Sequence, residues 1–204
     1  MLLLTACGTT SQVYSTQIIA DPSSTPLKSG DLTSFGIAFV TPSTVTGQEE
    51  EKQALALAFS KALGEQRPTV RIVPLSDTLT SVNRAGLFEN YRRMIVEYRD
   101  SGSLDPAALA KVGKATGARY IALLNMANFQ QAYHDRLGIF GLRVLQTKEA
   151  NIRLTLQIWD SSDGSIAWEG AQEIRMASET ASESAVSFWS VVQAATQKLA
   201  AKIP

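Results

Sequence analysis

Two periods of apolar residues alternate along the chain, and the places where one gives way to the other outline its elements. From Glu49 to Gln66 the apolar positions Leu55, Ala58, Phe59, Ala62 and Leu63 recur three and four residues apart, the spacing of one face of a helix. Glu49 to Glu51 stand at its start, where the positive end of the helix dipole favours carboxylates, and Gly64 marks its close. The same period returns over Leu87 to Arg99, with Leu87, Tyr91, Met94, Ile95 and Tyr98 in one stripe. Asp105-Pro106 supplies a cap and a proline at the first helical position, opening a helix that Leu109 and Val112 carry to Gly117. A closing helix spans Ser182 to Lys202, with Phe188, Val191, Val192, Ala195 and Leu199 on one face.

Between these helices the period shortens to two. Phe35 to Val40 is a short apolar run of β-formers ahead of Thr41-Pro42 and predicts a buried first strand. Val70 to Leu75, held between Pro68 and Pro74, predicts a strand near a sheet edge. Arg119 to Asn125 is a continuous apolar run of the kind a central strand shows. After a connection through His134 to Phe140, Leu142 to Trp159 alternates clearly, with Ile152, Leu154, Leu156 and Ile158 on one face and Arg153, Thr155 and Gln157 on the other. Asp160-Ser161-Ser162-Asp163-Gly164 is turn chemistry, and Ile166 to Met176 returns as the antiparallel partner, which sets Trp159 and Trp168 face to face or nearly so. The expected fold is α/β (α+β). It is a single mixed sheet of about five strands covered by about four helices, with an antiparallel carboxy-terminal hairpin and a closing helix, in one domain over residues 34–204.

The amino terminus carries the most specific signal. Leu4-Thr5-Ala6-Cys7 resembles the bacterial lipobox, a leucine, two small residues and a cysteine. The resemblance implies that the Cys7 thiol takes a diacylglyceryl group, that residues 1–6 are the remnant of a signal peptide whose start lies upstream, and that Cys7 becomes the first mature residue. Two or three acyl chains hold a protein firmly on a membrane, where one alone is marginal. Gly8 follows the cysteine where lipoproteins retained in the inner membrane often carry Asp, which points to the outer membrane, facing the periplasm. Residues 7–33, rich in Ser, Thr, Pro and Gly, read as a lipidated flexible tether. Within it Val13, Tyr14, Ile18 and Ile19 have the character of a stray strand laid on the domain.

The helix-to-strand junction Ala115-Thr116-Gly117-Ala118-Arg119-Tyr120-Ile121 and the hairpin from Ile158 to Trp168 extend the likeness to the folded part. They resemble a class of envelope lipoproteins that includes the amino-terminal domain of the Tol-system propeller protein, the curli-secretion channel lipoproteins and the lipoprotein activators of peptidoglycan synthases. The resemblance covers about Phe35 to Ile203 and rests on structural motifs. It implies an α/β domain that works by holding other envelope proteins, or copies of itself.

Composition narrows the choices. Nineteen basic and nineteen acidic residues cancel, and neither sign is gathered into a patch, so the footprint of a nucleic-acid binder is missing. No run of about eighteen apolar residues occurs, so any membrane attachment must be covalent or interfacial. Cys7 is the only cysteine and His134 the only histidine, which leaves neither a thiolate cluster nor a nitrogen-rich zinc site. Asp160, Asp163 and Gly164 lack the later acidic ligands of a calcium loop. We therefore expect no catalytic residue, no metal and no cofactor beyond the covalent lipid on Cys7. Leu137, Ile139, Phe140 and Leu142 place large apolar side chains in and beside a connection that should face solvent, and such clusters mark contact surfaces. The first functional expectation is an anchored accessory lipoprotein that binds a partner protein in a secretion, wall-synthesis or surface-assembly system. The alternatives are an oligomeric export-channel component and a ligand-binding or hydrolytic periplasmic domain.

Overall fold

A computed structural model describes residues 11–19, 26–44, 46–139, 142–180 and 188–204, with only the backbone described over 11–19, 131, 133–139, 142–148 and 177–180. Among the described residues seven strands form one mixed sheet: β1 (Ser11–Ile19), β2 (Ile37–Phe39), β3 (Ser43–Thr44), β4 (Ile72–Val73), β5 (Tyr120–Ile139), β6 (Leu142–Asp160) and β7 (Ile166–Thr180). Their order is β1-β7-β6-β5-β2-β4, with β3 pairing β5 off that path. β2, β4 and the start of β5 run parallel, whereas β5, β6, β7 and β1 are antiparallel neighbours. Six helices accompany them: α1 (Asp31–Phe35), α2 (Glu49–Gln66), α3 (Leu75–Arg84), α4 (Phe88–Ser101), α5 (Pro106–Thr116) and α6 (Phe188–Ala200).

Strand alternation divides the core in two. Ile37, Phe39, Ala122, Leu124, Leu154, Leu156 and Ile158 face α2 and α6. Ala38, Val40, Ile121, Leu123 and Trp159 face the other way, onto Tyr91 and Met94 of α4 and Leu109 and Val112 of α5. Because both faces of β2 and early β5 are covered, their residues are apolar without interruption, as parallel strands require. α5 starts as the sequence indicates: the Asp105 carboxylate accepts from the Ala108 amide at 2.6 Å ahead of Pro106. It stops at Gly117, whose φ of 67° lies in the left-handed region that costs glycine nothing.

All five expected strands and all four expected helices are present, and the fold class is the one expected; β1 falls on the stray strand expected around Val13 to Ile19, and β3, α1 and α3 are additional. Several boundaries differ. β2 is three residues long because Phe35 ends α1. Gly64 lies inside α2, which continues to Gln66. Leu75 opens α3 instead of closing β4, burying Leu75, Thr78 and Val82. Ser11–Ile19 forms the edge strand β1, antiparallel to Gly170 through Ser178 of β7, as its β-forming residues allow. Leu27 and Leu32, at 5% and 3% exposure, put packed positions ahead of residue 34.

A polar knot ties the ends of β5 and β6. Arg119 donates from Nε to both oxygens of Asp160 at 2.9 and 3.0 Å and from Nη2 at 2.7 Å, while the Ser162 amide and hydroxyl donate to the same carboxylate at 2.9 and 2.6 Å. Burial alone pushes the Asp160 carboxyl up, but the Arg119 and Ser162 bonds together outweigh it and hold the group below the ordinary carboxylate range. The Arg119 guanidinium also lies 5.1 Å from the Phe35 ring centre and 5.6 Å from that of Tyr120. The Tyr120 hydroxyl donates to Asp31 at 3.2 Å, and burial, followed by the Asp31 charge, pushes it up to about 12.

Tyr91 and Tyr98 are raised by burial as well. A phenol whose folded value exceeds its unfolded one keeps its proton in the fold after the unfolded chain has lost it. Stability is therefore intact below about pH 10 and falls as pH rises from there towards 12. Thermal melting between neutral pH and pH 11 should show this alkaline loss, and replacing Tyr120 with Phe should reduce it.

Candidate functional site

Past the helix-covered body the antiparallel strands continue as a ribbon. The last described core pair is Phe129 with Ile152, with Ala150 buried next to it on β6, and the Phe129 ring meets Phe188 of α6 edge-on at 4.9 Å. Beyond them β5 and β6 stay paired from Ala132 and Glu149 to Ile139 and Leu142. At about 3.3 Å per residue this adds roughly 23 Å of ribbon. Register shifts between Met126 and Asn128 and again around Leu137 mark bulges, which bend and twist a strand pair.

The stretch expected as a connection, His134 to Phe140, is therefore strand up to Ile139. The backbone brings the expected contact residues to one place: Ile139 stands opposite Leu142, and Leu137 opposite Leu145, at the far end of the ribbon. Phe140 lies outside the described residues, as does Cys7. His134 stands opposite Thr147 in the ladder.

The face of the sheet that carries α4 and α5 is covered only in part. Tyr98 reaches the limit of that cover, its hydroxyl donating to Gln157 at 3.0 Å, and Gln157 in turn donates to Glu169 at 3.1 Å. Farther along, Arg153 and Arg175 are exposed and Asn151 donates to Glu173 at 3.3 Å, a mixed-charge surface on β6 and β7. Trp159 and Trp168 do not face one another. The register pairs Ile158 with Trp168 and Trp159 with Ile166, so the two indoles lie on opposite sides of the sheet and form no stacking platform. The Asp163 carboxylate accepts from the Ser165 amide at 2.9 Å and its hydroxyl at 2.7 Å, so this side chain, like Asp160, is engaged in holding the turn. Among the described residues no group of three or more histidine, cysteine, aspartate or glutamate side chains is placed to hold a metal ion. No described helix is long and apolar enough to cross a membrane.

Two hollows flank α3, of about 510 and 420 Å³. The wall of the second is fixed by Tyr91, whose hydroxyl accepts from the Thr41 amide at 2.8 Å and shares a second hydrogen bond of 2.8 Å with the Thr41 hydroxyl.

No family model and no curated protein matches this sequence. Solved structures do match. A PelC dodecamer from Paraburkholderia phytofirmans aligns with a TM-score of 0.51 at 13% identity, over 92% of this chain and 96% of that one. The chain is similar in fold to PelC. A substituted PelC dodecamer in another crystal form gives the same score and coverage at 14% identity. Lipoprotein GNA1162 from Neisseria meningitidis aligns over 80% of this chain and 96% of its own, at 14% identity and a TM-score of 0.40. Since 92% of the chain is shared, the likeness to PelC takes in both the parallel and the antiparallel parts of the sheet. At 13% identity it is a likeness of fold.

Proposed function

We propose that this protein is a lipid-anchored component of the bacterial envelope that works as an assembly of identical copies, held to the membrane through Cys7 and acting by contact, without catalysis. One observation carries the reading: over 92% of its length the chain has the fold of PelC, which was solved as a dodecamer. Two features support it. β1 is the edge strand of the sheet, and edge strands are templates for pairing with another chain. The β5–β6 ribbon carries apolar sequence well past the core, as a subunit contact would need. The lipobox resemblance at Leu4 to Cys7 supports the anchor and the envelope location, and Gly8 favours the outer membrane. Such an assembly would serve secretion or surface assembly, receiving a partner protein on the assembled ring.

The test is the mass of the natural protein extracted in mild detergent, read by light scattering. A mass of many subunits is expected, and a mass of one subunit at every concentration would favour a monomeric accessory protein that docks on a different partner. Cys7→Ser should move the protein from the membrane fraction to the soluble periplasmic fraction, with loss of the acyl mass. If the variant stays with the membrane, the anchor is not at Cys7.

A further inference from the structure

The parallel part of the sheet forms a crevice whose described lining includes no residue of β1 or of the β5–β6 ribbon. β2 leads into α2 on one face of the sheet, whereas β4, its neighbour, leads through α3 to α4 and α5 on the other. At the carboxyl ends of these two strands the chain parts to opposite sides, and open α/β sheets leave their ligand crevice at such a point. The two hollows beside α3 lie here, with Leu79 as a common wall.

Their chemistry differs. The hollow between α2 and α3, beside Trp189, is lined by no ionisable acid or base. The hollow under the β2–α2 connection, against α3 and α4, is lined by three cations and no carboxylate. Two of those cations have acidic partners: Lys52 lies 3.5 Å from Glu49, and Arg92 lies 2.9 Å from Glu89. Arg99 has no ion pair among the described residues. Ile95 supplies an apolar wall, and Phe88, 55% exposed, stands at the mouth. A cavity of about 420 Å³ with apolar walls and a few convergent polar groups has the size and make-up of a small-molecule site.

We infer that this pocket binds a small amphipathic anion from solution. Its apolar or aromatic body lies against Phe88 and Ile95, and its carboxylate, sulfonate or phosphate pairs with Arg99. The unpaired Arg99, with no carboxylate in the lining, disfavours a cationic ligand, and an exposed phenyl ring at the mouth of a hollow is explained by a ligand that covers it.

The test uses the full chain and two dyes that differ only in charge, anilinonaphthalene sulfonate and uncharged N-phenylnaphthylamine, with binding read by fluorescence. The sulfonate should bind about tenfold or more tightly than its neutral analogue, the effect of one charge-assisted contact. Arg99→Gln should remove that preference and leave the neutral dye unchanged. Phe88→Ser should weaken both dyes, while Leu57→Arg, in the neighbouring hollow, should affect neither. Phe88, Leu57 and Arg99 are exposed, so the fold should tolerate all three changes, which a melting curve checks. Equal binding of the two dyes, an unchanged preference in Arg99→Gln, or loss of binding in Leu57→Arg overturns the assignment. Flotation of the Cys7→Ser protein on phosphatidylglycerol vesicles that Arg99→Gln abolishes would make the ligand a membrane headgroup and overturn the assignment to a dissolved molecule.

Discussion

Asp160→Ala should lower the stability of the folded domain by about 3 kcal/mol. The carboxylate is 2% exposed and accepts from Arg119 Nε and Nη2 and from the amide and hydroxyl of Ser162. Truncation leaves those donors without their acceptor at the end of β6. The guanidinium, with its side chain 39% exposed, regains water, which keeps the cost at the lower end for a broken buried pair. The pH dependence has a definite sign. The folded carboxyl sits below its unfolded value, so its contribution is complete above about pH 4 and disappears as pH falls through the folded value. Urea unfolding of wild type and variant should therefore show the full gap at neutral pH and a closing gap in acid. A neutral-pH difference under about 0.5 kcal/mol, the size found for exposed ion pairs, would make this a surface bridge and not a knot that ties two strands.

How much of this architecture was legible depends on how local its causes are. α5 announces itself through Asp105, Pro106 and Gly117, each acting within a turn of its own position. α2 does so through a stripe that ends up buried as Leu55, Phe59 and Leu63. Ile152 to Ile158 alternates without a break, and Ile152, Leu154, Leu156 and Ile158 are all buried. α3 was missed because Pro74 and Leu75 close an apolar run and open a helix at the same place, and propensity has no means of dividing them. β5 was cut short for a different reason. A bulge at Ala127 moves the inward position from Met126 to Phe129, so alternation fails although the ladder continues. The polar run that follows, Gln130 to Arg136, carries no alternating apolar face and so gives no strand signal, although β6 pairs with it directly.

The candidate sites divide along the same line. Leu137, Ile139 and Leu142 were selected for being apolar where solvent was expected, and the ladder does bring them to one end of one ribbon. The crevice beside α3 was invisible, because Lys52 belongs to α2 and Phe88 and Arg99 to α4, and only the crossover of the chain around β2 unites them. The paired tryptophans failed on register: an offset of one residue at the Ile158–Trp159 bulge sends the two rings to opposite faces.

Placing aspartates at Ile139 and Leu142 together should convert the assembly to single subunits without unfolding them. The two residues are ladder partners at the end of the ribbon, beyond the last described core pair of Phe129 and Ile152, so the change should move the melting transition little, by about 0.5 kcal/mol or less. Opposed carboxylates repel across a strand pair, and any contact that covers them must strip their water without a cationic partner. In an assembly of many copies that penalty recurs at every such interface, so a cost that would only weaken a dimer removes the assembly altogether. Light scattering should report one subunit mass, membrane fractionation should still find the protein attached through Cys7, and the melting curve should stay close to wild type. Loss of the fold in the double variant would mean that the ribbon end belongs to the core. Persistence of the assembly with both aspartates in place would move the subunit contact elsewhere, to the free edge of β1 or the mixed-charge face of β6 and β7.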